Sequence, residues 1–118
     1  MDIEQFREYC LALPEVTEEF PFGPDTLVFK VGGKMFALTN LEGYPSTFNA
    51  KCDPERAIEL RAEYVGIIPG WHMNKKHWNT VSLDGSLDRE LLVDLIDHSY
   101  ELVVASLTRA KRAELGVS

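Results

Sequence analysis

The run Thr26-Leu27-Val28-Phe29-Lys30-Val31-Gly32-Gly33-Lys34-Met35-Phe36-Ala37-Leu38-Thr39 decides how this chain is read. Two apolar, β-forming segments flank a glycine pair, and Gly-Gly takes the positive backbone angles of a two-residue hairpin turn without steric cost. An antiparallel hairpin is therefore expected at the heart of the fold. Downstream, Thr47-Phe48-Asn49-Ala50-Lys51 reads as a third strand, reached through the turn residues Glu42-Gly43-Tyr44-Pro45. Period two puts Phe48 and Ala50 on one face and Thr47, Asn49 and Lys51 on the other. Asp53-Pro54 opens a helix, with Asp53 as N-cap, Pro54 at the first helical position, and Ala57, Leu60 and Tyr64 as its buried stripe. Ile67-Ile68 and Trp78-Asn79-Thr80-Val81-Ser82-Leu83 read as two more strands.

Upstream of the hairpin, Ile3, Phe6, Cys10 and Leu13 recur at helical spacing, with Asp2 and Glu4 in the first turn where the helix dipole favours them. A helix over about 2–12 follows, and Pro14, Pro21 and Pro24 then make 14–24 an irregular loop. A last helix spans about 88–107, with Leu91, Leu92, Leu95, Ile96, Ser99, Leu102 and Val103 on one stripe. The tail 108–118, carrying Arg109, Lys111 and Arg112, is expected to fray. The order α-β-β-β-α-β-β-α specifies an α+β two-layer sandwich, an antiparallel sheet with helices on one face, as a single domain over 1–118. The open face would show Val28, Lys30, Thr47, Asn49, Lys51, Trp78 and Thr80.

With 118 residues, 45% of them hydrophobic, the chain has material for one core. No run approaches the roughly 18 apolar residues of a membrane span, and the N-terminus is acidic where a signal peptide is basic, so a cytoplasmic protein without membrane contact is expected. Cys10 and Cys52 form no CxxC pair and are read as reduced thiols. The net charge of −7 opposes a simple nucleic-acid binder. Charge is unevenly spread, however: residues 1–26 carry seven acids against one base and 84–107 six against one, while 27–52 and 67–83 are net basic. The expected strands are basic and the expected helices acidic.

Pro69-Gly70-Trp71-His72-Met73-Asn74-Lys75-Lys76-His77-Trp78-Asn79-Thr80-Val81 holds both tryptophans, two histidines and two lysines with no acid. Trp71 and Trp78 offer π-faces beside positive charge, the chemistry of base stacking, although tryptophans more often fill a core. Alternation favours Trp78 for the open face. Lys75 and Lys76, after Asn74, have the character of a phosphate-binding loop, or of a solvated turn. His72 and His77, even with Cys52 or Asp53, have a spacing that fixes no common face, so no metal and no cofactor are expected. Nucleophile elbow, phosphate loop and HExxH are all missing, and no enzyme activity is expected. Ser99 and Tyr100 read as ties from the last helix to its neighbours, with His98 at the boundary.

Laid end to end, Phe20-Pro21-Phe22-Gly23-Pro24, the hairpin, Asn49 through Arg56, the tryptophan window and His98-Ser99-Tyr100 resemble the MmcQ/YjbR family of small bacterial proteins over nearly the whole chain. The resemblance implies a frataxin-like (CyaY-like) fold and, by the family's usual label, DNA binding. The expected function is a non-enzymatic binding module. Trp71 and Trp78 would stack, Lys30, Lys51, Lys75 and Lys76 would meet phosphate weakly and with steep salt dependence, and Asn49, Asn74 and Asn79 would supply polar contacts beside His72 and His77. The alternatives are a pocket for a small anionic ligand or a protein tail built from the same residues, and frataxin-like metal binding, to which Asp2, Glu4 and Glu8 lend acid.

Overall fold

In a computed structural model, which describes residues 1–117, the chain forms α1 (Ile3–Ala12), β1 (Val16–Glu19), β2 (Thr26–Val31), β3 (Lys34–Asn40), β4 (Thr47–Lys51), α2 (Pro54–Glu63), β5 (Ile67–Pro69), β6 (Trp78–Ser82), α3 (Arg89–Ser106) and α4 (Arg109–Leu115). The six strands make one antiparallel sheet in the order β1-β2-β3-β4-β6-β5. The central hairpin is as expected: Val31 pairs with Lys34, and Gly32 and Gly33 sit at φ 60° and 81°, values of a type I′ turn that other residues reach only under strain.

Two expected elements are corrected. The 14–24 segment is not all loop, because Val16–Glu19 pairs antiparallel with β2 along its whole length. Val16 and Thr17 favour a strand but Glu18 and Glu19 do not, and the segment lies between Pro14 and Pro21, so pairing with β2 supplies what four residues alone do not. The tail does not fray from 108. The Thr108 hydroxyl accepts the Lys111 N–H at 3.1 Å and Gly116 closes α4 in the left-handed conformation, so both ends of this short helix are capped. Ser118 lies outside the described residues. The element order is therefore α-β-β-β-β-α-β-β-α-α.

The helices share one face. Phe6 stacks on Phe48 at 4.6 Å between ring centroids and meets Phe29 edge-on at 5.5 Å. Around them pack Cys10, Ala57, Leu60, Leu92, Leu95, Ile96, Val103 and Val104 from the helices and Leu27, Val31, Ala50 and Val81 from the sheet. A β-bulge sits where Phe29/Lys30 oppose Met35 through Ala37. It turns both Phe36 and Ala37 into this core and sends Met35 to the opposite face with Val28, Leu38 and Trp78.

Three consecutive residues of α3 tie it to three other segments, as expected for Ser99 and Tyr100. The Ser99 hydroxyl reaches the Lys51 carbonyl, Tyr100 OH donates to the Pro14 carbonyl at 2.6 Å, and His98 Nε2 accepts the Asp53 N–H at 3.1 Å. His98 is thus an acceptor in its neutral form. Burial, then Arg56, lowers its pKa below 6.5, against the raising influence of Asp53, Asp94 and Glu101. The edge strands are β1 and β5. Glu18 and Glu19 of β1 pair with Arg7 and Lys30, each at 2.7 Å, and β5 is three residues long and ends in Pro69.

Two predictions follow from this packing. Phe6→Ala removes the ring that joins α1 to the sheet and should cost about 3–5 kcal/mol, read as a lower urea midpoint. Because the folded pKa of His98 is depressed, its contribution is fully present above 6.5 and is lost as pH falls through the folded value. His98→Asn retains an acceptor without the titration, so its stability should fall less than wild type between neutral pH and pH about 5 in urea unfolding.

Candidate functional site

The helix-free face of the sheet is partly roofed. The β5–β6 connection, residues 70–77, folds back so that Met73 and Met35 pack on Val28, Leu38 and Trp78, a second and smaller apolar cluster. Trp78 is accordingly only 7% exposed. It lies on the face that alternation assigns it, but beneath the loop, and has no free ring face on which to stack a base. The expectation that Trp78 offers a stacking face is corrected, because Met73, five residues upstream, packs on the cluster that holds it.

Trp71 has the opposite fate. Its side chain is 67% exposed while its backbone is pinned, its N–H donating to Thr80 Oγ1 at 2.9 Å. The loop beneath it is fixed at several points. Gly70 N–H donates to the Trp78 carbonyl at 2.9 Å, so close that a Cβ on Gly70 would stand 2.8 Å from the Trp78 Cβ. Arg61 of α2 donates through Nε to Asn79 Oδ1 at 2.6 Å and through Nη2 to the Trp78 carbonyl at 3.1 Å and to the Lys75 carbonyl. His72 holds the left-handed conformation at φ 58°, uncommon for a residue with a Cβ, and its ring sits edge-on to Trp71 at 4.8 Å.

Several expected ligand contacts already have internal partners. Asn79 is buried against Arg61, and Asn74 Oδ1 accepts the Lys76 N–H at 2.9 Å as a turn residue. Lys75 Nζ donates to the Gly70 carbonyl at 3.1 Å, and Lys30 Nζ pairs with Glu19 Oε2 at 2.7 Å. The basic character expected of the open face is therefore reduced by an acid from β1, a strand within the segment expected to be loop. Lys51 and Lys76 have no ion-pair partner among the described residues. His77 is half-buried, its carbonyl accepting the Cys52 N–H at 2.8 Å, and no group of three His, Cys, Asp or Glu side chains among the described residues is placed to hold a metal. Cys52 is buried, and burial raises its thiol pKa, which keeps the sulfur protonated and weakly nucleophilic.

What remains is a groove. Two adjoining cavities of about 300 and 310 Å³ share Leu38, Asn40, Asn49 and Trp71. Tyr44 and Thr80 line one, and Phe22, His72 and Met73 the other. Three aromatic side chains thus rim it, Tyr44 at 97%, Trp71 at 67% and Phe22 at 65% exposure, over a floor of paired strands where Leu38 opposes Asn49 and Asn49 opposes Thr80. A larger cleft of about 430 Å³ lies at the β5 edge beside Glu63 and Asp84, with no exposed tryptophan. Of the expected site residues, the groove gathers Asn49, Trp71 and His72. It adds Asn40, Tyr44, Phe22 and Thr80. Asn40 could have been read from the period-two series Leu38, Asn40, and Phe22 from the proline-rich segment, whereas Arg61 leaves no sequence signal. Arg61→Ala should free residues 70–77 and leave the helix-side core intact. The expected result is faster amide hydrogen exchange in that loop, with a loss of stability of about 1–3 kcal/mol.

Comparison with known proteins agrees with this architecture. A crystal structure from Deinococcus radiodurans is similar over 98% of this chain and 88% of that one, with 46% identity and a TM-score of 0.92. One from Pseudomonas syringae covers 86% and 98%, with 31% identity and a TM-score of 0.76. An Escherichia coli O157:H7 protein, YbdF, is 43% identical over 90% of this chain and 87% of its own length, and YjbR of Escherichia coli K12 is 34% identical over 95% of each. No helix among the described residues is long and apolar enough to cross a membrane. The YjbR family model matches residues 11–102, which takes in the sheet, the pinned loop and most of α3, and the chain belongs to the YjbR family.

Proposed function

We propose that the chain is a non-enzymatic cytoplasmic binding module, and that its groove takes a small anionic ligand carrying a flat ring. One observation carries the reading: Trp71 is held out into solvent by a backbone that is fixed. Leaving a large aromatic exposed forgoes burial worth about 2–3 kcal/mol. A rigid backbone under it lowers the ordering cost of binding, which is what a stacking platform requires. Lys51 lies on the same face, two residues along β4 from Asn49, and supports a negatively charged ligand. The two buried free cysteines support a reducing compartment. The frataxin-like description of the architecture belongs to the same proposal and is supported by helices covering one side of an antiparallel sheet. Metal handling does not travel with it, since fold does not carry site chemistry.

Single-stranded DNA is the second reading. Lys76, exposed and five residues from Trp71, favours it. Two of the four lysines that would meet phosphate, Lys30 and Lys75, instead bond within the protein, which favours the small ligand.

Tryptophan fluorescence separates these readings. Trp71→Phe should leave only the blue-shifted emission of buried Trp78 and abolish quenching by any ligand of the groove. Quenching by a small aromatic acid that changes little with salt supports the first reading. Quenching by single-stranded DNA that weakens steeply with salt replaces it with the second. Equal quenching in wild type and Trp71→Phe would remove both.

A further inference from the structure

The polarity of the groove is written in hydrogen bonds the protein has already made. Thr80 is buried, and its Oγ1 accepts the Trp71 N–H, a backbone group that only donates. The single hydroxyl proton of Thr80 faces the side-chain amide of Asn49. With the amide oxygen turned toward it that proton has an acceptor, whereas the flipped amide would leave it unpaired in a buried place. Among the described residues no buried side-chain polar atom lacks a partner. Asn49 therefore presents Nδ2 to the groove. Asn40 is fixed by the same logic: its Oδ1 accepts the Glu42 N–H at 3.0 Å, which leaves its Nδ2 outward. Asn40 and Asn49 line both cavities together with Leu38 and Trp71, from neighbouring strands: Asn49 of β4 opposes Leu38 of β3, and Asn40 lies two residues along β3 from Leu38.

We infer that Asn40 and Asn49 set the specificity of the groove: as paired amide donors they select a flat ring bearing carboxylate or carbonyl oxygens and reject one bearing an ammonium group. Thr80 acts as a positioning residue, because its hydroxyl decides which end of the Asn49 amide the ligand meets. The inference rests on the reading of the groove as the binding site. It also runs against the protein's overall field. A net charge of −7 draws cations toward the surface, so a preference for an acid has to come from donors in the groove itself, Lys51 lying on the same face but outside the lining of either cavity.

The test uses phenylacetate and phenethylamine, which match in ring and length and differ in the polar end. Amide spectra by NMR report the Asn40 and Asn49 side-chain NH2 groups and the Trp71 indole N–H together. Phenylacetate should bind at least about tenfold more tightly and move all three signals. Asn40→Asp and Asn49→Asp, which replace a donor by an acceptor of nearly the same shape, should each remove most of that preference. Asn40 is exposed, so its variant keeps the fold. Thr80→Val changes no charge but also removes the acceptor of the Trp71 N–H, so it should weaken ring binding for both probes and, beyond that, reduce the ratio of their affinities. If its preference equals that of wild type, the positioning role is overturned. Equal binding of the two probes, with Trp71 still perturbed, overturns the donor assignment and leaves the groove standing. No perturbation of Trp71 by either probe at millimolar concentration overturns both.

Discussion

The contact of Phe6 with Phe48 and Phe29 is the constraint from which the rest of the structure follows, because it assigns the two faces of the sheet. A six-stranded antiparallel sheet this small can bury one face under helices and must manage the other by different means. Once α1 is seated on β2 and β4 through those rings, α3 can lie beside it and reach Pro14, Lys51 and Asp53 through Tyr100, Ser99 and His98. The helices then have no way to cover Val28, Leu38 and Trp78, and the task passes to a loop.

That loop is short, and a short loop can cover a patch only if it is held down. Arg61 reaches across from α2 to its base, Gly70 permits the backbone to lie against Trp78, and Thr80 receives the Trp71 N–H from below. Met73 is turned inward by this arrangement and Trp71 outward. The exposure of Trp71 is thus a by-product of roofing Trp78 as well as a feature of the groove, and the same few hydrogen bonds determine both.

Much of this was legible in the sequence. Gly32-Gly33 announced the hairpin, Asp53-Pro54 announced α2, and alternation placed Asn49, Thr80 and Trp78 on the helix-free face, where they are. What alternation could not report is coverage: it assigns a residue to a face without saying what lies above that face. Trp78 therefore read as the better stacking candidate and Trp71 as the lesser one, whereas Trp71 is the exposed ring and Trp78 the covered one. The strand β1 is hard to read because Val16–Glu19 is four residues long, half of it glutamate, lies between prolines, and owes its conformation to partners nine to fifteen residues away. Lys30 was misread for the same reason, its counter-ion Glu19 being supplied by that strand. The caps of α4, Thr108 and Gly116, were present in the sequence, but a helix of seven residues with no buried side chain offers no apolar stripe to read.

The two ends of the sheet have a consequence of their own. An unpaired strand edge is a template on which another copy of the chain can polymerise. Here one edge, β5, offers three residues and stops at a proline that has no N–H to give, while the other, β1, carries two glutamates already engaged with basic partners. Neither presents a long, flat, apolar row. A molecule that leaves three aromatic rings in water beside its groove is thereby protected from growing into fibrils by strand addition, and it can keep a sticky surface without becoming a sticky protein.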